Sequence, residues 1–350
     1  MLESKLSYLI DPVREMILQF DMVIRRFREE SGARVAGVTC DMFPAEITAA
    51  LGLVALRIPS LSAGCCTAEG SASINGIEEI YDIIAVPRGC SGRHLMPGLP
   101  AAIHEFTCPP GWGEESCRSM EAGIDKLQEH AGCPGLARLD PSVLAAVTAG
   151  YNGVRRMVRG IIAARREKPG VLSCRDLGTV LEAAVVFPPT VAAGLLAPVL
   201  EAVNVTDGAA AGGRLPVMVY GSFTGDTEVL DGIEDAGCLV IEDDTCGGRR
   251  QFDMSYNADS PDLRNEILDA FSYRPRCPSV RTIDERVALL YSMVKNHGIE
   301  VVLLIEDLCC PSKRRDVDAL RVRLMRSGVD PLVVTSGDAA EKVREYARRM

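Results

Sequence analysis

Two stretches of the chain alternate short β-branched segments with helical ones, and this alternation limits the fold more than any other feature. The segments with strand character in residues 31–113 are 34–39, 54–58, 83–86 and 102–106. Those in residues 207–350 are 217–220, 238–241, 301–305 and 332–335. Strands that alternate with helices form parallel sheets joined by crossover helices. The pattern therefore predicts two α/β lobes whose ligand crevice lies at the carboxyl ends of the strands.

The segment between these stretches, residues 114–206, has no strand signal and predicts a helical connector. Its candidate helices are 114–131, 141–168, 173–185 and 190–201. Asp140 and Ser173 precede two of them as side chains that commonly cap helix N-termini. The Gly- and Ala-rich residues 207–214 predict a hinge before the second lobe. At the start of the chain, residues 1–30 have apolar residues at helical spacing and predict one amphipathic docking helix.

Composition narrows the class of partner. The chain of 350 residues is 47% hydrophobic and 25% charged, which is ordinary for a globular protein. A net charge of -10 and an aromatic share of only 5% argue against a nucleic-acid partner. No apolar run approaches the roughly 18 residues of a membrane span or resembles a secretory signal. A cytoplasmic protein without a membrane partner is expected.

Thirteen cysteines point to metal binding, because the cytosol keeps thiols reduced and disfavours a disulfide framework. The pairs Cys65-Cys66 and Cys309-Cys310, and the single Cys90, all fall in loops after predicted strands. Thiolates are good iron ligands, and a helix N-terminus after such a loop helps to keep them deprotonated. No compact C-x-x-C run is present, so a 4Fe-4S cluster would be assembled from distant loops. Zinc, a vicinal disulfide and chance neighbours remain alternatives, and Cys133, Cys174 and Cys238 are expected to be small buried side chains.

Five sequence segments carry a resemblance to a known family. They are Phe43-Pro44-Ala45-Glu46 with residues 50–53, residues 81–87 leading to Cys90, residues 151–156, residues 242–249, and Cys309-Cys310-Pro311. In these segments the chain resembles the 2-hydroxyacyl-CoA dehydratase and benzoyl-CoA reductase superfamily, in particular the 2-hydroxyglutaryl-CoA dehydratase D-component. The resemblance implies two Rossmann-like lobes with parallel sheets and a cluster site in the crevice between them.

The resemblance also implies the ligands of the cluster. Three cysteines per subunit hold one 4Fe-4S cluster in that family, at positions that match Cys65 or Cys66, Cys90, and Cys309 or Cys310. Two of these positions are doubled here, which is similar to the superfamily branch whose double-cubane 8Fe-9S cluster has six cysteine ligands. The sixth ligand would be Cys108 or, as a second choice, Cys117.

The implied activity is that of an iron-sulfur oxidoreductase or an (R)-2-hydroxyacyl-CoA dehydratase-like lyase. A separate ATP-hydrolysing, cluster-bearing activator would supply low-potential single electrons, since the chain has no G-x-x-x-x-G-K-[ST] motif of its own. The substrate is a small molecule, and a CoA thioester is not assigned, because residues 333–338 lack the Gln- and Arg-bearing motif usual in that family. The chain would form a homodimer or pair with a homologous subunit. Two alternatives stay open: a non-catalytic electron-storage or scaffold subunit, and a cysteine-rich binding protein without metal.

Three polar residues complete the predicted site. Glu46 is the candidate catalytic residue, although composition alone favours a capping or solvent-exposed carboxylate. Asp244 and Arg249 are expected in the substrate pocket, where the adjoining glycines and arginines could hold an anion. Asp residues at this point could equally initiate a turn. The four histidines, His94, His104, His130 and His297, show no triad-like setting and are expected at the surface or in packing.

Overall fold

The computed structural model describes residues 6–38, 43–59, 77–87, 103–106, 114–208, 213–221, 227–245, 247–273, 282–306, 311–335 and 337–349. Six of the seven candidate cluster ligands lie outside these residues: Cys65, Cys66, Cys90, Cys108, Cys309 and Cys310. His94 also lies outside them. The seventh candidate ligand, Cys117, is described.

The N-terminal segment forms two helices, so the expectation of one docking helix is wrong. Helix α1 is Ser7–Leu18 and helix α2 is Phe20–Ser31, with the break at Gln19. Each of the two helices contacts a different neighbour. Arg14 of α1 pairs with Asp176 of the connector at 3.1 Å, and Arg28 of α2 pairs with Asp82 of the first lobe at 2.9 Å.

The first lobe contains a parallel sheet of strand order β2-β1-β3-β4. Its elements are β1 Arg34–Val38, α3 Ala45–Ala50, β2 Leu53–Arg57, α4 Ile77–Ile80, β3 Ile83–Pro87 and β4 Ile103–Phe106. Strands β1 and β2 run in register from Arg34 beside Leu53 to Val38 beside Arg57, so both end at the same edge. All four predicted strands are confirmed to within one residue at each end.

The second lobe has the same order of strands, β6-β5-β7-β8, and all of its pairs are parallel. Its elements are β5 Leu215–Tyr220, α9 Thr227–Asp235, β6 Cys238–Asp244, α10 Leu263–Tyr273, α11 Ile283–His297, β7 Val301–Ile305, α12 Pro311–Arg326, β8 Asp330–Val334 and α13 Ala339–Ala347. Cys238 is fully buried in this core, as expected for a small apolar side chain. The predicted α/β class with two parallel sheets is confirmed.

Four helices form the connector. They are α5 Glu114–His130, α6 Pro141–Glu167, α7 Cys174–Val186 and α8 Pro189–Val205. Both predicted N-caps are confirmed, because Asp140 accepts a hydrogen bond from the Ser142 backbone N–H and Ser173 accepts one from that of Asp176. Helices α6 and α8 pack along their length with apolar side chains that belong to the largest core of the described chain.

Helix α6 is held to the second lobe by a buried ion pair. Arg165 Nη2 donates to Glu234 Oε1 at 2.7 Å, and both side chains are only 3% exposed. The other Glu234 oxygen accepts the Cys174 backbone N–H at 2.8 Å, while the Arg165 guanidinium also donates to the backbone oxygens of Leu172 and Val240. A buried charge pair of this kind is stable only when its remaining donors and acceptors are also satisfied, as they are here. Within the described chain, no helix is long and apolar enough to cross a membrane.

Candidate functional site

A hydrogen bond between the lobes marks the place where the carboxyl edges of the two sheets meet. Arg57, the last residue of β2, donates from Nη1 to Gln251 Oε1 at 2.9 Å. Gln251 lies in the short 3-10 helix Arg249–Phe252, which follows β6 of the second lobe. Both side chains are buried, at 4% and 8% exposure. Ligands in parallel α/β proteins bind at these carboxyl edges, so the bond lies in the expected crevice.

Two cavities share this pair as a wall. The first-lobe cavity is lined by Arg57, Gln251 and these other described residues: Val38, Phe43, Ala45, Ala55, Tyr151, Val154, Arg155, Ala184, Val185, Phe187, Pro189 and Phe252. The second-lobe cavity is also lined by both residues of the pair, together with described residues that include Arg165, Leu177, Glu182, Val240, Asp243, Thr245, Gly248 and Arg249. Each has a volume of about 100 Å³. The crevice between the lobes therefore offers two small compartments.

Glu46 is buried behind the first-lobe cavity. Its side chain is 0% exposed and forms an ion pair with Arg155, whose side chain is 12% exposed. The solvent-exposed alternative for Glu46 is therefore wrong, and its helix has no side-chain cap. Burial works to lower the pKa of Arg155, but the nearby Glu46 carboxylate and Tyr256 outweigh it, so that pKa is raised and the charge is kept. The second carboxylate oxygen, Glu46 Oε2, is buried, and no described residue forms a hydrogen bond with it.

Tyr151 and Tyr256 hold the Arg155 guanidinium between their rings. Its carbon lies 5.8 Å from the centre of the Tyr151 ring and 5.2 Å from that of Tyr256. Asn152 fixes Tyr256, because its amide donates to the Tyr256 backbone oxygen at 2.7 Å and accepts from the Tyr256 N–H at 3.2 Å. The Tyr151 hydroxyl is buried and has no hydrogen-bond partner in the described part of the chain. Burial, reinforced by the Glu46 charge, raises the pKa of Tyr151, so this hydroxyl stays protonated.

At the edge of the second lobe, Asp243 organises the turn after β6. Its carboxylate accepts hydrogen bonds from the Thr245 hydroxyl at 2.9 Å, from the Thr245 N–H at 3.3 Å and from the Arg249 N–H at 3.3 Å. Gly248 is required here, since a Cβ at this position would lie 1.3 Å from Asp243 Oδ1. The turn-forming interpretation is confirmed for Asp243. Burial raises the pKa of Asp243 in spite of these hydrogen bonds.

The predicted pocket residues Asp244 and Arg249 are both in ion pairs but differ in position. Arg249 lines the second-lobe cavity and pairs with Glu242, which Arg166 of α6 also contacts. Asp244 pairs with Arg250 at 3.2 Å, and both side chains are 3% exposed. Neither cavity has Asp244 among its described lining residues. The structure therefore brings Arg249, but not Asp244, to a described cavity.

Cys117 lies in α5, and its side chain contacts the neighbouring helix α10. Its Sγ donates to Asp269 Oδ1 of α10 at 3.2 Å, and it packs against an apolar cluster that contains Ile47 and Tyr256. Across the part of the chain that the structure describes, no group of three or more His, Cys, Asp or Glu side chains is placed to hold a metal ion. The cluster ligands predicted from the sequence thus remain predictions.

Comparison with known proteins decides the family. The family model described as 2-hydroxyglutaryl-CoA dehydratase, D-component, matches residues 112–348. The chain belongs to the 2-hydroxyglutaryl-CoA dehydratase D-component family. The match contains Arg155, Arg249 and the Cys309-Cys310 pair, whereas Glu46 and the other cysteines predicted as ligands lie in the first lobe outside it, except Cys117. No curated protein matches the chain significantly.

Within this D-component family member, sequence reasoning gave no role to several residues of the crevice, among them Arg57, Tyr151, Arg155 and Gln251. Arg57 could have been noticed, because it is a charged residue at the end of the apolar strand Leu53–Arg57. Tyr151 belongs to a segment that carried the family resemblance but received no role. Gln251 gave no signal, since its importance depends on a contact across 194 positions of sequence.

Proposed function

We propose that this chain is the iron-sulfur component of a dehydratase-type or reductive enzyme. It would accept low-potential single electrons from an ATP-hydrolysing activator protein and deliver them to a small molecule bound between the lobes. The observation that carries this proposal is the Arg57–Gln251 bond, which brings together the carboxyl edges of the two parallel sheets. The predicted cysteine ligands all follow strands that end at these edges, with the exception of Cys117.

Several of the predicted cysteine ligands are close in sequence to the ends of strands. Cys90 follows the end of β3, Pro87, by three positions, so its Cα lies within about 11 Å of that strand end. Cys309 follows the end of β7, Ile305, by four positions and lies within about 14 Å of it. Cys65 and Cys66 follow the end of β2 by eight and nine positions. Predicted ligands from both lobes thus follow strands that end at the carboxyl edges, which supports the proposed ligand set.

For the sixth ligand, topology favours Cys108 over Cys117. Cys108 follows the end of β4, Phe106, by two positions, and β4 pairs in parallel with β3 so that both strands end at the same edge. Cys117 instead donates its hydrogen bond to Asp269 within helix packing. We therefore place Cys108 in the ligand set with Cys65, Cys66, Cys90, Cys309 and Cys310.

The chemistry divides between cofactor and protein. A cluster of this kind supplies electrons one at a time at low potential. The protein residues around the crevice bind the small molecule and restrict the access of water to it. The apolar lining of the first-lobe cavity and the buried Arg57–Gln251 pair suit this role, because electrostatic interactions with a ligand strengthen where water is excluded.

Metal analysis of the protein purified without oxygen tests the cluster. We expect about eight irons per chain for a double cubane and about four for a single 4Fe-4S cluster, together with acid-labile sulfide. The double variant Cys309→Ser/Cys310→Ser should lose most of this iron and the visible absorbance. The control Cys133→Ser changes a half-buried cysteine near α5 and should keep both. A colourless, iron-free wild-type protein contradicts the proposal.

The electron-transfer part is tested by adding a cluster-bearing ATPase of the activator type with ATP and an external reductant. Bleaching of the visible absorbance that requires ATP supports electron delivery to this chain. Reduction that proceeds equally without ATP contradicts the role proposed for the activator. ATP-dependent reduction without turnover of any acyl-CoA or small reducible substrate would favour the electron-storage subunit over the enzyme.

A further inference from the structure

We propose that the first-lobe cavity binds a small carboxylate, which the Tyr151 hydroxyl and the Arg155 guanidinium hold through its oxygens. The Tyr151 hydroxyl is a buried donor without a hydrogen-bond partner among the residues that the structure describes, and both side chains line the cavity. The binding of this carboxylate does not depend on the proposed function. Its identification as the molecule to be reduced rests on that function.

The unsatisfied hydroxyl is the strongest indication of a ligand. Buried polar groups are nearly always hydrogen-bonded, and a buried tyrosine hydroxyl usually finds a partner, because leaving it without one is costly. The neighbouring side chains that the structure describes do not supply that partner to Tyr151, although Glu46, Asn152 and Arg155 all lie close by. The hydroxyl is therefore available to an acceptor atom that enters the cavity.

The chemistry of the surrounding residues selects the type of ligand. Tyr151 and Arg155 both donate, so the ligand must present acceptor oxygens. Glu46 already pairs with Arg155, but Arg57 also lines the cavity and adds a second positive charge, which favours a negative charge on those oxygens. None of the lining residues that the structure describes is acidic. The rest of the described wall is mainly apolar and includes the aromatic rings of Phe43, Phe187 and Phe252. A carboxylate head with a short hydrocarbon chain matches both parts.

Size gives a further limit. The volume of about 100 Å³ corresponds to roughly seven to ten water molecules, and so to a ligand of about that number of non-hydrogen atoms. A short-chain acid such as butyrate fits within this limit. A complete CoA thioester does not, and would need to keep its nucleotide outside the cavity.

Calorimetric titration of the full-length, anaerobically purified protein with sodium butyrate tests the proposal. We expect saturable binding in the wild type and about tenfold weaker binding in Tyr151→Phe, which corresponds to the loss of about one hydrogen bond. Tyr291→Phe is the matched control, because Tyr291 lies on the exposed face of α11, and it should bind butyrate as the wild type does. Butyramide should bind much more weakly than butyrate, since it has no charge.

Thermal unfolding of the ligand-free variants separates ligand binding from a structural role. Removing a buried hydroxyl that has no partner leaves a ring of the same shape, so Tyr151→Phe should unfold at the wild-type temperature or above it. Weaker binding together with a lower unfolding temperature would contradict the proposal. So would absence of butyrate binding in the wild type, equal binding by Tyr151→Phe, or equal affinity for butyramide.

Iron content distinguishes failure of the carboxylate-site proposal from failure of the proposed function. Tyr151→Phe should keep the wild-type iron content and visible spectrum, because Tyr151 is not a cluster ligand. Butyrate binding by a protein that never carries iron would support the carboxylate site and contradict the iron-sulfur function. An iron-loaded protein that does not bind butyrate would support the iron-sulfur function and contradict the carboxylate site.

Discussion

The two lobes have the same strand order but treat the polar groups at their carboxyl edges differently. In the second lobe, the Asp243 carboxylate accepts three hydrogen bonds, from the Thr245 hydroxyl and from the Thr245 and Arg249 N–H groups. At the first lobe, Tyr151 Oη and Glu46 Oε2 are buried and have no hydrogen-bond partners within the described ranges of the chain. The two lobes therefore have the same strand order but use the polar groups at their carboxyl edges for different purposes. Polar groups committed to one another stabilise a turn, whereas unsatisfied ones are available to a ligand.

Helix α6 shows the same contrast along its length. Arg155 faces the first lobe, where a cavity lies beside its ion pair with Glu46. Ten residues later, Arg165 is enclosed by Glu234 and two backbone oxygens. The first contact keeps a site open beside a charge, and the second fixes the helix to the second lobe.

Replacement of either arginine should lower the free energy of unfolding, but by different amounts. Arg165→Leu leaves Glu234 buried without its partner and should lower the free energy of unfolding by about 4 kcal/mol. Arg155→Leu should cost about 3 kcal/mol, because water can enter the neighbouring cavity and solvate Glu46. Urea unfolding measures both, with Arg156→Leu as the control, since Arg156 is on the exposed side of the same helix. A larger loss for Arg155→Leu would reverse the comparison.

Substitution of Gly248 tests how tightly the turn of the second lobe is built. In Gly248→Ala, the new methyl group would occupy the position of Asp243 Oδ1, so the carboxylate must move away from Thr245 and Arg249. We expect a loss of about 2 kcal/mol in unfolding free energy. Gly123→Ala, in helix α5 with open space around it, should stabilise by about 0.5 to 1 kcal/mol. Thermal unfolding that ranks the two variants in the opposite order would show that the turn can rearrange freely.

The smallest expected effect concerns acid sensitivity in the first lobe. His104 of β4 is buried beside His130, and burial, then the charges of His130 and Lys126, lowers its pKa below the ordinary value of 6.5. In the unfolded chain the imidazole takes up a proton near pH 6.5, whereas in the folded chain it resists protonation. Stability should therefore fall as the pH drops below 6.5 and level off below the lowered pKa.

The variant His104→Phe should lack this part of the acid loss. Chemical unfolding of both proteins at pH 7.5 and pH 5 gives the difference. If the free energy of unfolding of both proteins depends on pH in the same way, groups other than His104 cause the acid sensitivity. His297→Gln is a useful comparison in the second lobe, because burial and two arginines also lower the pKa of His297.

Local sequence pattern was enough to predict most of the fold. The strand 301–305 and the caps Asp140 and Ser173 were predicted at the observed positions, because burial on both sheet faces and helix capping depend on adjacent residues. The break at Gln19 was missed, since it follows from packing against two different neighbours. The described part of the site depends on contacts such as Glu46 with Arg155, 109 positions apart, which no local pattern reports.

The 27-residue length of α6 has a consequence for access to the crevice. The positions of Arg155 and Arg165 are about 15 Å apart along a helix. Through these two arginines the same helix forms an ion pair with each lobe. Wide separation of the lobes would have to break a buried ion pair at one end. Small molecules should therefore enter and leave through local side-chain movements, which favours short ligands and slows their exchange with bulk solvent.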